Sequence, residues 1–191
     1  MLDDSLLSAF ADGFYGYGNL EADYWFIGME EGGGDSLADI ERRLTAWDRR
    51  GRHQLEDLRE FHLEIGVTGY FMERPALQTT WSKMIRIVLS AEGRHPTTDE
   101  LRVYQRDKLG RHGGSTALVE LLPLPSPSTG HWLYSDISRL PPLRSRDAYR
   151  ALYTERRAQA LQSMGRHTPR GSPRAAAGDL GSQEIVPGSG Y

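Results

Sequence analysis

Two adjacent glutamates in a glycine-rich turn, Gly28-Met29-Glu30-Glu31-Gly32-Gly33-Gly34, are the residues best suited to chemistry in this chain. Carboxylates at such a place can act as a general base, activate a water molecule or contribute to a metal site. Glycines let the backbone approach a ligand closely. The turn has neither a Lys-Ser/Thr end nor a G-x-G-x-x-G spacing, which excludes the two common nucleotide-binding loops. A structural interpretation stays open, in which the glutamates are solvated or cap a helix.

The element that precedes this turn is predicted to be a buried strand. Residues 24–29 are apolar on both faces and form a short run, which is typical of a parallel strand inside a sheet. Asp35 or Ser36 can then cap a helix through Trp47. Open α/β sheets bind ligands at the carboxyl ends of their strands. We therefore expect a site at this edge, where Glu30 and Glu31 both lie and where the turn residues Gly28, Met29 and Gly32 can contact a substrate.

A second buried strand is predicted over residues 116–122, which are apolar apart from Thr116 and Glu120 and end at Pro123. If this strand lies beside the first and parallel to it, the Glu120 carboxylate faces Glu30 across the cleft. The alternative is that Glu120 pairs with a nearby arginine or lies on a solvated edge.

The proline-rich segment that follows is predicted to be a long loop, residues 123–142. Its Ser126, Ser128 and His131 supply hydroxyl and imidazole groups that can contact a DNA strand or a base. In the other interpretation the prolines stiffen a surface loop and Trp132 covers the core. An arginine-rich stretch over residues 139–157 is either a phosphate-facing surface or an ordinary solvated helix face.

Composition predicts one domain, residues 1–164, followed by a disordered tail, residues 165–191, rich in Gly, Pro, Ser, Ala and Arg. Further helices are predicted near residues 5–14, 54–65, 79–92, 97–109 and 145–164. Two strands alone bury too little surface, so at least two more are expected. The next strand would fall where the tail begins, and the tail is interpreted as the replacement of a lost βαβ unit.

Charge and residue usage narrow the functional classes. The net charge of -3 gives no overall basic field, so any DNA contact needs a local patch. The absence of cysteine excludes disulfides, thiolate metal sites and a cysteine nucleophile. No signal peptide or membrane span is predicted. The expectation is a cytoplasmic monomer without membrane contact.

The two strand ends, W-F-I-G-M-E-E-G-G and L-V-E-L-L-P-L-P-S-P-S-T-G-H-W, resemble signature segments of the uracil-DNA glycosylase superfamily, and most of all a bacterial branch of it. There, an apolar strand enters a G-x-x-P-G-like turn whose third position holds the Asp or Asn that positions water. Glu30 falls on this position, and Glu31 replaces the proline. A later strand ends in an Asn that reads the base edge, where this chain has Glu120. No copy of the third, His-Pro-Ser-like segment is found in the tail.

The resemblance covers about residues 10–160 and implies a three-layer αβα domain with a short parallel central sheet, incomplete at the C-terminus. It implies a DNA-repair hydrolase that releases a damaged base from DNA, without cofactor or metal, with Glu30 activating the water. Two alternatives stay open. One is a metal-dependent hydrolase in which Glu30, Glu31 and Glu120 share an ion, and the other is a degenerate or non-enzymatic binding protein.

Overall fold

The computed structural model describes residues 2–166. Residues 165 and 166, which were predicted to begin the disordered tail, belong to the last helix. The rest of the predicted tail, residues 167–191, lies outside the described range. Within it, helices and strands are mixed along the chain, as in an α/β protein. The helices are α1 (Asp4–Gly13), α2 (Leu37–Arg49), α3 (Leu58–Glu64), α4 (Thr79–Ala91), α5 (Thr98–Asp107), α6 (Tyr134–Ile137) and α7 (Arg146–Arg166), with a 3-10 helix at Pro141–Arg144. The strands are β1 (Gly16–Gly18), β2 (Tyr24–Glu30), β3 (Leu55–Glu56) and β4 (Thr116–Leu122).

Side-chain caps fix the starts of the helices that flank the sheet. The Ser36 hydroxyl accepts a hydrogen bond from the Asp39 backbone at the start of α2. Thr97 and Glu100 form a reciprocal capping box at the start of α5. Both starts agree with the sequence prediction. The predicted helix over residues 54–65 is wrong in its first part, because residues 55 and 56 form β3 and the helix begins only at Leu58.

The sheet has the strand order β2-β4-β1-β3. The long strands β2 and β4 are adjacent and parallel, with Gly28 opposite Glu120 and Glu30 opposite Leu122. This confirms the arrangement that the two apolar runs predicted. The short β1 is antiparallel to β4 and parallel to β3.

The two additional strands come from parts of the chain that were not predicted to be strands. In β1, Gly16 and Gly18 have φ angles of 129° and 112°, and a Cβ at either position would overlap a backbone carbonyl of β4. Only glycine allows this close approach. Both β1 and β3 lie on the far side of β4 from β2. The further strand expected where the tail begins falls on residues 167–191, which lie outside the described range.

Two apolar cores lie on opposite faces of the sheet, because successive residues of β4 point to opposite sides. Leu118 and Leu122 face the larger core, together with residues of α1 to α5. Ala117 and Val119 face a smaller core covered by Leu161 of α7. Helices therefore cover both faces, in agreement with the predicted three-layer αβα architecture.

Arg157 of α7 is 1% exposed and fastens this helix to the sheet. Its guanidinium donates hydrogen bonds to the carbonyl oxygens of Ala11, Phe14, Glu120 and Leu121 at 2.6–3.1 Å. The group also lies 4.1 Å from the centre of the Tyr15 ring. These contacts satisfy backbone carbonyls that would otherwise be buried without partners.

Across residues 2–166, no helix combines the length and the apolar character required to cross a membrane.

Candidate functional site

The carboxyl ends of β2 and β4 lie side by side and are joined by the segments that follow them. The Glu31 backbone N–H donates to the Leu122 carbonyl at 3.4 Å, and the Ser126 N–H donates to the Glu31 carbonyl at 3.0 Å. The glycine turn and the proline-rich loop therefore form one continuous surface at this edge of the sheet.

Glu30 lies at this edge with its two carboxylate oxygens in different situations. Oε2 forms a short ion pair with Nη1 of Arg146, whereas Oε1 is buried and has no hydrogen-bond partner among residues 2–166. The side chain is 13% exposed. Burial raises the pKa of Glu30, while the charge of Arg146 opposes that rise.

Arg146, the first residue of α7, connects Glu30 to the proline-rich loop. Its Nη2 lies 2.5 Å from the Ser126 hydroxyl, 2.6 Å from the Ser128 carbonyl and 2.8 Å from the His131 carbonyl. Its guanidinium also lies 5.3 Å from the centre of the Trp132 ring. Arg146 is a site residue that the sequence patterns do not predict. The only signal was its position in the arginine-rich stretch.

Glu31 belongs to an internal network beneath the turn. Its Oε1 accepts hydrogen bonds from the Tyr17 hydroxyl at 2.5 Å and from Arg43 at 2.8 Å. Arg43 also bonds Asp39 at 3.1 Å, and Asp39 accepts a bond from the Gly34 backbone at 2.8 Å. Burial raises the pKa of Glu31. The network holds the glycine turn against α2, so Glu31 acts as a support of the turn.

Glu120 is half-buried and lies directly beside Gly28. Its Oε2 is inaccessible to solvent and has no hydrogen-bond partner among the described residues. Burial, together with repulsion from Glu31 and Glu30, raises the pKa of Glu120 to about 8. The carboxyl group is therefore mostly protonated at neutral pH, and it can donate a hydrogen bond as well as accept one.

Gly28 provides the space that Glu120 occupies. A Cβ at residue 28 would overlap Glu120 Oε2 and lie 2.7 Å from Oε1. We expect Gly28→Ala to lower the free energy of unfolding by at most about 1 kcal/mol, because the overlapping atoms are the end of the half-buried Glu120 side chain, which can rotate away. Urea denaturation of this variant and of Gly28→Ala/Glu120→Ala measures the effect. The penalty should be smaller in the Glu120→Ala background, and an equal penalty in both would contradict the contact.

The remaining predicted site residues do not all converge on Glu30. Met29 is 46% exposed and lies on the opposite face of β2, since alternate residues of a strand point to opposite sides.

Ser126 and Ser128 contribute their hydroxyl and carbonyl oxygens, respectively, to the Arg146 contact. His131 Nε2 is buried without a partner among residues 2–166, which leaves it available to a ligand. Gly32 is exposed at the rim of the turn.

The three glutamates are not arranged as a metal site. In residues 2–166 no group of three or more His, Asp or Glu side chains could hold a metal ion. Glu30 forms an ion pair with Arg146, whereas Glu31 forms one with Arg43. The described residues therefore give no support to the metal-sharing arrangement considered from the sequence, which stays a prediction.

A depression of about 380 Å³ lies at the other end of β4, where Asp57, Lys108 and Arg111 contribute to its lining. Both acidic residues that line it have internal partners, since Asp57 pairs with Arg111 at 3.1 Å and Asp107 with Arg106 at 2.6 Å. This depression is separate from the edge that carries Glu30.

Comparison with known proteins finds no matching family, no similar curated protein and no similar solved structure. The resemblance to the uracil-DNA glycosylase superfamily therefore stays a prediction from the sequence.

Proposed function

We propose that this protein hydrolyses the N-glycosidic bond of a damaged base in DNA, with Glu30 as the residue that activates water. The observation that carries the proposal is the asymmetry of the Glu30 carboxylate. Arg146 fixes Oε2, while Oε1 is buried and unpartnered among the described residues at the carboxyl edge of two parallel strands. An acceptor oriented in this way is suited to bind a water molecule and to take its proton.

In the proposed reaction, water attacks the anomeric carbon of the nucleotide. A carbon–oxygen bond forms and the carbon–nitrogen bond to the base breaks, so that the base leaves with the bonding electron pair. The proton released by the water passes to Glu30 Oε1. In duplex DNA the target nucleotide must first leave the base stack.

Two further groups at this edge can contact the base. The protonated Glu120 carboxyl offers both a donor and an acceptor, and His131 Nε2 offers an unpartnered ring nitrogen. Arg144 and Arg150 are exposed near the start of α7, and the charge of Arg150 lowers the pKa of Glu30. They supply the local positive charge that phosphate contacts require.

The test is a base-release assay on oligonucleotides that contain uracil or a deaminated purine. We expect abasic sites to form in the presence of a metal chelator as readily as with added divalent metal. Release that requires metal would contradict the water activation proposed for Glu30. No release from any oligonucleotide would contradict the enzymatic proposal.

A non-enzymatic binding protein is the second candidate, and the Arg146 contact favours it. Arg146 neutralises Glu30 and binds the carbonyl oxygens of Ser128 and His131, which holds the proline-rich loop beside the carboxylate. The expected signature is DNA binding, measured by fluorescence anisotropy, that is not followed by base release.

A further inference from the structure

The outer edge of β2 is unpaired in the described part of the chain. The strand order begins with β2, so β4 is the only strand that pairs with it within residues 2–166. Yet β2 has the composition of a central strand, since residues 24–29 are apolar or glycine throughout. A seven-residue strand of this kind at an edge leaves backbone groups without partners.

The hydrogen-bond pattern identifies which backbone groups point outward. In a parallel pair, the N–H and C=O of one residue point to the same neighbour, and successive residues alternate. The Tyr24 N–H donates to the Ser115 carbonyl at 3.0 Å, which turns Tyr24, Phe26 and Gly28 towards β4. The backbone groups of Trp25, Ile27 and Met29 therefore face outward.

The same residues present an apolar surface. Ile27 is 45% exposed and Met29 is 46% exposed. The smaller core contains Trp25 and Leu161 of α7, so α7 covers this face only near the start of β2.

The edge also lacks the features by which proteins protect exposed strands. It contains no lysine and no proline, and its one charged residue, Glu30, is neutralised by Arg146. The charges of residues 24–30 therefore do not repel an identical strand placed beside them.

We propose that β2 pairs antiparallel with β2 of a second copy of this chain, which joins the two sheets across a two-fold axis. The register centres on Ile27, so Ile27 lies opposite Ile27 of the partner subunit. Each Trp25 then lies opposite Met29 of the partner subunit. All three residues have outward backbone groups and can form hydrogen-bonded pairs with Cα atoms about 5.5 Å apart. No like charges face each other. The proposal departs from the monomer expected from the sequence and does not depend on the proposed function.

The proposed dimer can be tested with the full chain by placing a charge at Ile27, the centre of the register. Sedimentation velocity over a range of concentrations should show a dimer for the wild type and a monomer for Ile27→Lys, which places two ammonium groups opposite each other. Ile27→Glu should be monomeric for the same reason. A mixture of the two variants should restore the dimer, because Lys then faces Glu. Ile87→Lys is the matched control, since Ile87 is 41% exposed on α4, and it should remain dimeric.

Hydrogen exchange distinguishes the other possible occupants of the edge. We expect protection of the residue 24–30 amides to increase with protein concentration. Protection that is independent of concentration, in a chain that stays monomeric, would overturn the proposal and point to residues 167–191 of the same chain. A dimer that persists in Ile27→Lys would also overturn it.

Discussion

Glu30→Gln is expected to lower the rate of base release by roughly 100- to 10,000-fold while the protein still folds. Glutamine has the same shape and can still accept the hydrogen bond from Arg146, but it cannot take a proton from water. Glu30 combines a carboxylate oxygen fixed by Arg146 with one that is buried and unpartnered among the described residues. Glu31 shares this pattern, but it lies in the network beneath the turn. Single-turnover base release from the substrate that the wild type cleaves measures the effect.

Glu41→Gln provides the matched control. Glu41 is exposed on α2, the helix that also carries Asp39 and Arg43 of the network beneath the turn. Its rate should equal that of the wild type. Circular dichroism and DNA affinity should be close to wild type in both variants. Wild-type activity in Glu30→Gln would remove Glu30 from the mechanism, even if base release itself is real.

The elements of the site that could be predicted from the sequence are those with a strong local signal. The strands β2 and β4 are continuous apolar runs, and the acidic glycine turn follows β2 directly. Since both strands are apolar enough to be buried in one sheet, their parallel pairing was also predictable. This pairing placed Glu120 beside Gly28, close to Glu30.

The short strands could not be predicted because their conformation depends on tertiary contacts. The β1 sequence is Gly-Tyr-Gly, which indicates a break in structure when read alone. It becomes a strand because its glycines allow the backbone to approach β4. The two residues of β3 lie in a helical pattern and pair with β1.

The polar partners of the site were missed for a different reason. Arg146 is 116 positions from Glu30, and Tyr17 is 14 positions from Glu31. Side-chain pairing over such separations leaves no periodicity in the sequence. These partners change the interpretation of the two adjacent glutamates. Glu31 is used to hold the turn through Tyr17 and Arg43, although its Oε2 has no partner among the described residues. Glu30, in contrast, is linked through Arg146 to the proline-rich loop.

Glu120→Gln is expected to stabilise the protein at alkaline pH. The pKa of Glu120 is raised from 4.5 to about 8 in the folded protein, so folding favours the protonated form. Between these two values the unfolded chain has lost a proton that the folded chain retains, and the free energy of unfolding of the wild type therefore falls as the pH rises. Glutamine resembles the protonated acid and does not titrate.

The two proteins should be nearly equally stable below about pH 4.5 and should differ by a constant amount above about pH 8, with an upper bound of about 5 kcal/mol. Urea denaturation across this range measures the difference. The raised pKa values of Glu30 and Glu31 act in the same direction, but both residues are present in both proteins, so the comparison isolates Glu120 and its coupling to them. Glu41→Gln controls for the loss of one carboxylate at the surface and should show no such divergence. A gap between wild type and Glu120→Gln that does not change with pH would mean that folding does not raise the pKa of Glu120. The carboxyl group would then be ionised at neutral pH, which would remove the donor that the proposed base contact requires.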